Sequence, residues 1–589
     1  MMREQSDVIV CGGGLAGLTL AYQLRKENPE ASVTVVERTT RPLPEACHKV
    51  GESSVELGSH YFGEVLGLKD YLQAEHLKKN GLRFLCGDSR GPVAERPEIG
   101  PAEFPIVPSY QLDRGKLEND LRAFCEELGV ELLEGEHVRA IRLGKDGAPH
   151  EVETSAGTLK GRWVVDASGR RRMLSKQLGL RRPSPNASSA AWFRVAERVL
   201  LNELVPEGER LWHQRDIDGN RWLSTVHLMG RGYWVWLIPL STGYTSVGIV
   251  ADAEHHPFGT FNKPEKALAW LREHEPVLAE RLEGRELEDF RLMHDYSYLT
   301  ERMISADRWA CVGEAAAFVD PLYSLGSDFL GMSNCYAARC IGDDLRGTLE
   351  ADVVEALNET WVRVAEDAAR TLSGNGEVFP HGDIFGAKLW WDFFNYWSFM
   401  CAHFFQEIWR EDAATLRRFL GMQARYYALN SHAQAILEAW GALKPTPFGG
   451  RKRFIGLPSF PSTLADQHLS LQEDLDVEGT WAKMESDLAI GQQLVAEILA
   501  HALRDLGPET AAELGRRAGL DASWGLPLAG ERIDADALPR RQRIEKLPRI
   551  ARDMERALGR VDPGVPLSEL LARALGTGAE AGAEAEARA

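Results

Sequence analysis

The sequence is short of features that would place it in a membrane or on nucleic acid. Its 589 residues contain no apolar run of the 18 or so residues that a spanning helix needs. No long apolar stretch precedes the first predicted strand, so we expect no signal peptide and a cytoplasmic protein. Basic residues are outnumbered, with 68 Lys and Arg against 87 Asp and Glu and a formal net charge of −19. This balance argues against nucleic acid or an anionic membrane as the main partner.

Cysteine is also sparse, with eight residues that are scattered along the chain. There is no Cys-x-x-Cys pair and no Cys/His cluster at zinc spacing. His255 and His256 are adjacent but lack a third ligand at metal-site spacing. We therefore expect no disulfide framework and no metal. The length exceeds what one compact core supports, so we expect two or three domains.

A glycine-rich turn near the N-terminus carries the first chemical signal. An apolar strand leads into Gly12, Gly14 and Gly17, a helical pattern follows, and a second strand ends in Glu37. In a βαβ unit these glycines allow a tight turn, a close pyrophosphate and close helix packing, and the acidic residue binds ribose hydroxyls. The pattern predicts a dinucleotide site. It assigns to the cofactor Gly12, Gly14, Leu15, Ala16, Gly17, Glu37 and Arg38.

Later strand ends could reach the same ligand. Residues 111–114 open a helix, and residues 163–170 and 309–316 are apolar strands that end in small residues. No second Gly-x-Gly-x-x-Gly follows a strand, so we expect one dinucleotide and no site for NAD(P)H, which favours FAD. The further predicted contacts are Arg114, Asp166, Gly313, Glu314 and Asp320.

The pattern along the chain predicts three domains and a tail. Residues 1–185 plus 300–345 form a cofactor-binding domain, and residues 186–299 read as an inserted antiparallel sheet. Residues 346–575 are helical and strand-poor. Residues 576–589 are rich in Ala, Glu and Gly, which is typical of a disordered tail.

Three local motifs resemble those of the flavin-dependent halogenases. They are Lys49-Val50-Gly51-Glu52-Ser53-Ser54, Trp234-Val235-Trp236-Leu237-Ile238-Pro239, and Lys79 with the segment that follows it. The resemblance covers about residues 5–340. It implies an α/β, Rossmann-like FAD-binding domain of the aromatic-hydroxylase type with an inserted antiparallel β-sheet and a helical C-terminal domain. It also implies that Gly51, Glu52 and Ser53 lie at the flavin.

The resemblance implies a role for Lys79 that the residue alone would not suggest, because most lysines are simply solvated. Reduced FAD, O2 and chloride or bromide would give hypohalous acid, which Lys79 would hold by a hydrogen bond or as a haloamine. Lys78 is adjacent, so a shift of one residue stays open. Trp234 and Trp236 would keep the substrate away from the flavin. Their alternative interpretation is a packed aromatic pair in a sheet.

The halide would lie beside Ser324, Leu325 and Gly326, where consecutive backbone N–H groups can form an anion-binding nest. Tyr323 stands where tryptophan halogenases usually have a glutamate, and this departure points to phenols, pyrroles or carrier-bound aromatics. Glu314 is a second departure, since many relatives have Gly-Asp there.

A dense aromatic run follows in the C-terminal region, between Phe385 and Trp409. Core packing is the favoured interpretation, and a pocket wall for an aromatic substrate is the alternative. In the second case Asp392, Asn395 and His403 could orient the substrate.

The leading hypothesis is an FADH2- and O2-dependent halogenase of secondary-metabolite or antibiotic biosynthesis. Its expected partners are a flavin reductase and a small aromatic substrate, free or tethered to a carrier protein, and we expect a monomer or homodimer. One alternative is a halide-independent flavin monooxygenase or dehydrogenase of the same fold. Another is a carrier-docking flavoprotein with a vestigial redox site.

Overall fold

The computed structural model describes residues 5–44, 49–87, 89–145, 147–444, 454–521 and 547–577. In chain order the strands are β1 (Gln5–Cys11), β2 (Val33–Glu37), β3 (Leu77–Lys78), β4 (Leu82–Leu85), β5 (Glu98–Gly100), β6 (Tyr110–Gln111), β7 (Glu131–Glu134), β8 (Val138–Arg142), β9 (His150–Thr154), β10 (Thr158–Asp166), β11 (Arg181–Pro183), β12 (Ser188–Val195), β13 (Thr225–Gly230), β14 (Tyr233–Pro239), β15 (Thr245–Asp252), β16 (Glu288–Met293), β17 (Tyr298–Thr300), β18 (Ile304–Ser305), β19 (Trp309–Cys311) and β20 (Phe454–Gly456).

The helices alternate with the strands at first and dominate after residue 326. They are α1 (Leu15–Glu27), α2 (Glu56–His60), α3 (Lys69–Glu75), α4 (Arg114–Glu127), α5 (Met173–Gln177), α6 (Arg210–His213), α7 (Pro264–His274), α8 (Pro276–Arg281), α9 (Gly326–Arg346), α10 (Ala351–Leu372), α11 (Gly382–Asn395), α12 (Ala402–Phe405), α13 (Ala413–Leu443), α14 (Ser462–Ser470), α15 (Val477–Leu506), α16 (Ala511–Ala518), α17 (Leu547–Leu558) and α18 (Leu567–Ala574).

The first sheet has the order β18-β19-β10-β1-β2-β7, and the β8–β9 hairpin joins it at β10. Strands β10, β1, β2, β7 and β19 are parallel, with Val10 opposite both Val35 and Val165. Such strands are buried on both faces, which explains the unbroken apolar run of β1. Their carboxyl ends meet at one edge, where doubly wound folds bind ligands. The Rossmann-like α/β prediction is confirmed.

The second sheet has the order β16-β12-β15-β14-β13-β4-β5-β20. Its strands from β12 to β16 lie within the predicted insertion and pair antiparallel. The sheet extends beyond residues 186–299, however, because β4 pairs parallel with β13, β5 follows it, and β20 comes from the helical region. These three strands have only three or four residues each. Their place is set by pairing partners far away in sequence.

Strand β14 divides two hydrophobic cores. Trp234 and Trp236 face the large core that unites the first sheet with the helical region. Tyr233, Val235 and Leu237 face a smaller core that α7 and α8 cover. The alternation follows from the two-residue period of a strand. It directs both tryptophans to the side of the sheet where the carboxyl ends of the first sheet lie.

The region after α9 is built from long helices, of which α13 packs against both α10 and α15. Within the described ranges no helix is both long and apolar enough to cross a bilayer. The seven described cysteines are free and buried. No cluster of His, Cys, Asp or Glu suited to a metal occurs among the residues described. Of the expected disordered tail, residues 578–589 lie outside the described residues.

Candidate active site

A cleft of about 830 Å³ opens at the carboxyl ends of the first sheet. Gly12 has φ +126°, and a Cβ there would lie 2.4 Å from the Ala167 carbonyl oxygen. A Cβ at Gly17 would lie 1.9 Å from the Gly12 carbonyl oxygen, whereas Gly14 has nothing within 4 Å. The first and third glycines are therefore demanded by packing of the protein itself. Gly14 instead leaves the cleft open at the N-terminus of α1, where a phosphate finds free N–H groups.

The acidic end of β2 is held by the loop next to it. Glu37 Oε2 accepts a hydrogen bond from Gly13 N at 2.7 Å, and Oε1 accepts from Thr39 N at 2.9 Å. The carboxylate still lines the cleft, as does Arg38. This arrangement fixes an anionic edge at one end of the cleft, where a ribose would be bound.

Most of the predicted cofactor contacts line this cleft. They are Gly12, Gly14, Leu15, Ala16, Glu37, Arg38, Gly51, Glu52, Ser53, Arg114, Gly313, Glu314 and Asp320. Gly17 and Asp166 do not. Asp166 accepts hydrogen bonds from Ser168 N and Leu174 N, at 3.0 and 2.8 Å, so it orders the turn into α5. The sequence pattern alone did not separate a residue that faces the ligand from one that shapes the loop.

Two acidic residues of the cleft, Glu52 and Asp320, are buried and held by specific partners. Glu52 forms a buried ion pair with Arg194, and burial raises the pKa of Glu52. Burial also raises the pKa of Asp320 to about 6, although it accepts hydrogen bonds from Tyr296 Oη at 2.6 Å and Asn186 Nδ2 at 2.9 Å. These contacts make the floor of the cleft rigid.

The two tryptophans of β14 form part of the cleft wall. Their ring centroids are 5.7 Å apart, and Trp236 Nε1 donates to Ser246 Oγ at 3.1 Å. Gly248 allows this, because a Cβ there would lie 2.1 Å from the Trp236 ring. Trp234 and Trp236 are thus both packed and part of the cleft wall. The two interpretations of this motif are compatible.

The segment 320–326 separates the cleft from a second cavity. Ser324 has a left-handed φ of +62° and its N donates to the Pro321 carbonyl at 3.0 Å, while Leu325 is right-handed. Successive residues of opposite hand have the backbone geometry of an anion-binding nest. Ser324 and Gly326 line the cleft, whereas Tyr323 and Leu325 line the second cavity. The predicted halide residues are divided between the two.

Lys79 lies in the second cavity and is completely buried. Its Nζ donates to the Ser54 carbonyl at 2.8 Å. Burial lowers the pKa of Lys79 to about 7, against the opposing effect of nearby Glu56 and Asp328. Lys78 is exposed and lies over the Phe104 ring, 4.7 Å from its centroid. Of the two adjacent lysines, only Lys79 faces this cavity.

The loop after Lys79 fixes this direction. Lys79 N donates to the Ser109 carbonyl at 2.7 Å, and Asn80 N donates to the Leu223 carbonyl at 3.0 Å. Gly81 has φ +58°, and a Cβ there would lie 2.5 Å from Pro101. The Lys-x-Gly spacing therefore has a structural reason, because the chain turns sharply from the lysine into β4.

The aromatic run of the helical region serves two purposes. Trp390, Trp391 and Phe394 are core residues. Residues from the same run line the Lys79 cavity, and these are Phe393, Tyr396, Trp397 and Phe399. Asp392 and Asn395 line it too, but His403 does not, and burial lowers its pKa to about 4. Some residues of the aromatic run therefore pack in the core, and others form a wall of the cavity.

Two features of the wall between cleft and cavity escaped the sequence analysis. His227 lines the cleft, stacks on Phe84 at 4.6 Å, and has its pKa lowered to about 3 by burial. Phe84 in turn contacts Tyr323 edge-on at 6.1 Å, and Tyr323 Oη donates to Asp392 Oδ2 at 2.8 Å. His227 pairs with Trp236 across β13 and β14. This pairing with the tryptophan motif is the feature by which His227 could have been predicted to line the cleft.

Comparison with known proteins adds a family context. A family described as tryptophan halogenase matches residues 93–333, and one described as an NAD(P)-binding Rossmann-like domain matches residues 10–86. The flavin-dependent halogenase chlA of Dictyostelium discoideum is 27% identical over 361 residues. This match covers 55% of the chain and 58% of that relative, so part of the relative's length has no counterpart in the match.

Two further comparisons extend this context. The 1H-pyrrole-2-carbonyl-[peptidyl-carrier protein] chlorinase of Pseudomonas fluorescens is 25% identical over 55% of the chain and 73% of that relative. The crystal structure of halogenase PltM in complex with phloroglucinol and FAD superposes with a TM-score of 0.64 at 18% identity. It covers 81% of the chain and 96% of that structure, so the shared fold includes much of the helical region.

Proposed function

We propose that the chain, which is similar in sequence to flavin-dependent halogenases, uses reduced FAD, O2 and chloride or bromide to halogenate an electron-rich aromatic ring. The observation that carries the proposal is the position of Lys79. Its amine is buried in an aromatic-lined cavity, and the segment 320–326 borders both that cavity and the dinucleotide cleft. A lysine with no role beyond solubility would lie at the surface in contact with water, as most lysines do.

The residues of the cleft fit FAD. Gly14 keeps the approach to the α1 N-terminus open, Glu37 stands at the end of β2, and the Ser327 hydroxyl lacks a hydrogen-bond partner among the described residues. When bound, reduced FAD would supply two electrons and two protons, which together with one further proton convert O2 and halide into hypohalous acid and water. The chain's own residues would bind and orient it and exclude bulk water.

The segment 320–326 would hold the halide. The backbone N–H groups of Leu325 and Gly326 follow the left-handed Ser324, and no charged side chain is required for such a turn to bind an anion. Trp234 and Trp236 would narrow the cleft on the opposite wall. Their bulk would keep an aromatic substrate in the second cavity, so that only a small halogen species passes between the two.

Lys79 would present the halogen to the substrate. The pKa of about 7 leaves both protonation forms populated near neutral pH. The ammonium can donate a hydrogen bond to hypohalous acid. The amine can exchange N–H for N–halogen with release of water, and the aromatic ring then takes the halogen and returns a proton to the nitrogen. Either route ends in one ring C–H replaced by carbon–halogen.

The partners follow from the same chemistry. Among the described residues only one dinucleotide cleft follows a Gly-x-Gly-x-x-Gly turn, so a separate flavin reductase would supply reduced FAD. One relative is a chlorinase of a pyrrole-2-carbonyl group on a peptidyl carrier protein, and the structure of PltM holds phloroglucinol. Tyr323 replaces the glutamate typical of tryptophan halogenases. We propose a phenol or pyrrole substrate, free or carrier-tethered.

The test is the Lys79→Ala variant, assayed with a flavin reductase, NADH, bromide and a panel of phenols and pyrroles. We expect halogenated product to fall at least about 100-fold, as for loss of a group that acts on the reacting atom. Flavin oxidation should continue, because the cleft residues are unchanged. Mass spectrometry reads the product by its isotope pattern, and absorbance follows the flavin.

Lys78→Ala is the matched control, since Lys78 is exposed and lies outside the cavity. It should halogenate at the wild-type rate. Product formation by Lys79→Ala at the wild-type rate would refute the lysine role. Oxygenated product without any halide requirement would instead favour the halide-independent monooxygenase.

A further inference from the structure

The Lys79 cavity has a polar region between α10 and α13, among walls that are mainly apolar. Asp367 of α10 and Gln423 of α13 line it, together with Asn395 at the end of α11. Asp367 Oδ1 accepts a hydrogen bond from Asn430 Nδ2 at 2.8 Å, and Oδ2 accepts from Asn395 Nδ2 at 3.3 Å. Three helices thus place oxygen-bearing side chains in one cavity.

Two side-chain acceptors in this region accept no hydrogen bond from any residue that the structure describes. Gln423 is 4% exposed, and its Nε2 donates to the Thr360 carbonyl at 3.0 Å, which fixes the orientation of the amide. Its Oε1 is buried and has no hydrogen-bond partner among the described residues. The same holds for Asn395 Oδ1, whose Nδ2 is turned to Asp367. Buried acceptors are normally satisfied, so these two indicate a ligand that donates.

The surroundings of Asp367 point the same way. Within the described parts of the chain, its side-chain hydrogen bonds come from two amides and none comes from a cation. Desolvation raises the pKa of Asp367 to about 7. Asn430 is held in turn by Thr371 Oγ1 at 2.9 Å and by Trp391 Nε1 at 2.7 Å. The carboxylate is therefore held rigidly at the cavity surface with acceptor capacity to spare.

We propose that Asp367, Asn395 and Gln423 select the substrate by accepting a hydrogen bond from an O–H or N–H group attached directly to its aromatic ring. This inference rests on the proposed function, because it assigns the cavity to the aromatic substrate. Sharing the hydrogen with an acceptor returns electron density to the ring, which favours electrophilic substitution. A methylated oxygen or nitrogen leaves the acceptors unpaired, and buried unpaired acceptors are costly.

The test measures binding rather than turnover. Resorcinol is compared with 1,3-dimethoxybenzene, and indole with N-methylindole, by isothermal titration calorimetry on the full chain with oxidised FAD. No halide or reductant is present, so failure of the halogenase proposal would not affect the result. We expect at least one donor-bearing probe to bind about tenfold more tightly than its methylated partner.

Two variants locate the effect. Asp367→Asn and Gln423→Met should each reduce that difference at least about threefold by weakening the donor-bearing probe, with the methylated probe unchanged. Asp352→Asn is the matched control, because Asp352 is an exposed residue of the same helix that pairs with Arg417 at 3.1 Å. It should bind all probes as the wild type does.

The two probe pairs separate the possible donors. Discrimination only in the resorcinol pair identifies a phenolic hydroxyl, and discrimination only in the indole pair identifies a ring N–H. The proposal is overturned if the wild type binds neither donor-bearing probe more tightly than its methylated partner. It is also overturned if both cavity variants leave the discrimination intact.

Discussion

The dinucleotide cleft and the Lys79 cavity are adjacent, but they are built in opposite ways. The end of the cleft at the N-terminus of α1 is framed by backbone, with glycines and strand ends that open one edge of a parallel sheet. The cavity is made of side chains from residues as far apart as Val55 and Pro458. A backbone site binds the shape and charge that all dinucleotides share. A side-chain site can differ from one protein to the next while the fold stays the same.

The largest expected effect, complete loss of FAD binding, tests the backbone side of this comparison. In Gly17→Ala a Cβ would lie 1.9 Å from the Gly12 carbonyl. We expect the free energy of unfolding to fall by about 2 kcal/mol or more, since overpacking of a tight contact is costly, and FAD binding to be lost. Thermal unfolding without cofactor and titration with FAD measure the two effects.

Gly14→Ala is the matched control for that variant. Its Cβ would meet nothing within 4 Å, so stability should change by no more than about 0.5 kcal/mol. FAD affinity should still fall, because Gly14 lines the cleft. Equal loss of stability in both variants would contradict the distinction between a packing glycine and a ligand-facing one.

The next effect concerns the side-chain site and its pH dependence. The pKa of Lys79 is about 7 in the folded chain, against an ordinary value of 10.5. The unfolded chain therefore binds more protons between these values, and the stability that burial removes is regained as pH rises from about 7 to 10.5. Lys79→Met should raise the free energy of unfolding at pH 7 by on the order of 3 kcal/mol.

The measurement is denaturant unfolding of both proteins at pH 6, 8 and 10. The gain from Lys79→Met should shrink as the pH rises, because the wild-type lysine then loses its proton at less cost. A gain that is the same at every pH, or a loss at pH 7, would mean that the amine is not desolvated. Halogenation should be absent in the variant at every pH.

The smallest effect concerns the wall between the two sites. Tyr323→Phe removes the hydroxyl that donates to Asp392, while Asp392 keeps Lys388 at 3.0 Å and Gln434 at 2.7 Å. We expect a loss of about 1 kcal/mol in stability, the usual value of one hydrogen bond. KM for the aromatic substrate should rise a few-fold. The Kd for FAD should not change, and a change there would show that the wall does not isolate the sites.

The cleft comes from a short stretch of sequence and the cavity from distant segments, and this difference decided how much of each site the sequence could predict. Gly12, Gly14 and Glu37 lie within 26 residues, and their local βαβ pattern predicted the cleft. Trp234 and Trp236 were predicted to share a face from the two-residue period of β14. The predicted cofactor contact of Asp166 stays a prediction, since Asp166 is absent from the residues that line the cleft and its carboxylate accepts hydrogen bonds from Ser168 N and Leu174 N.

The side-chain site was only partly foreseeable. Lys79 was identified by its motif, but its burial comes from segments that close over it from the helical region. The polar set of Asp367, Asn395 and Gln423 has no local pattern, since each residue comes from a different helix. No sequence pattern predicted that β20 would extend the second sheet, because its three residues pair with β5, more than 350 positions earlier.

The sequence by itself determined the Rossmann-like unit, the strand that carries the tryptophans and the lysine that precedes a sharp turn, because each depends on spacing along a short stretch of chain. Only the tertiary structure decided that residues 323–326 line the cavity and the cleft in alternation, and which aromatic side chains form a wall rather than a core. Those outcomes depend on how distant helices and sheets pack, and packing is a property of the whole chain.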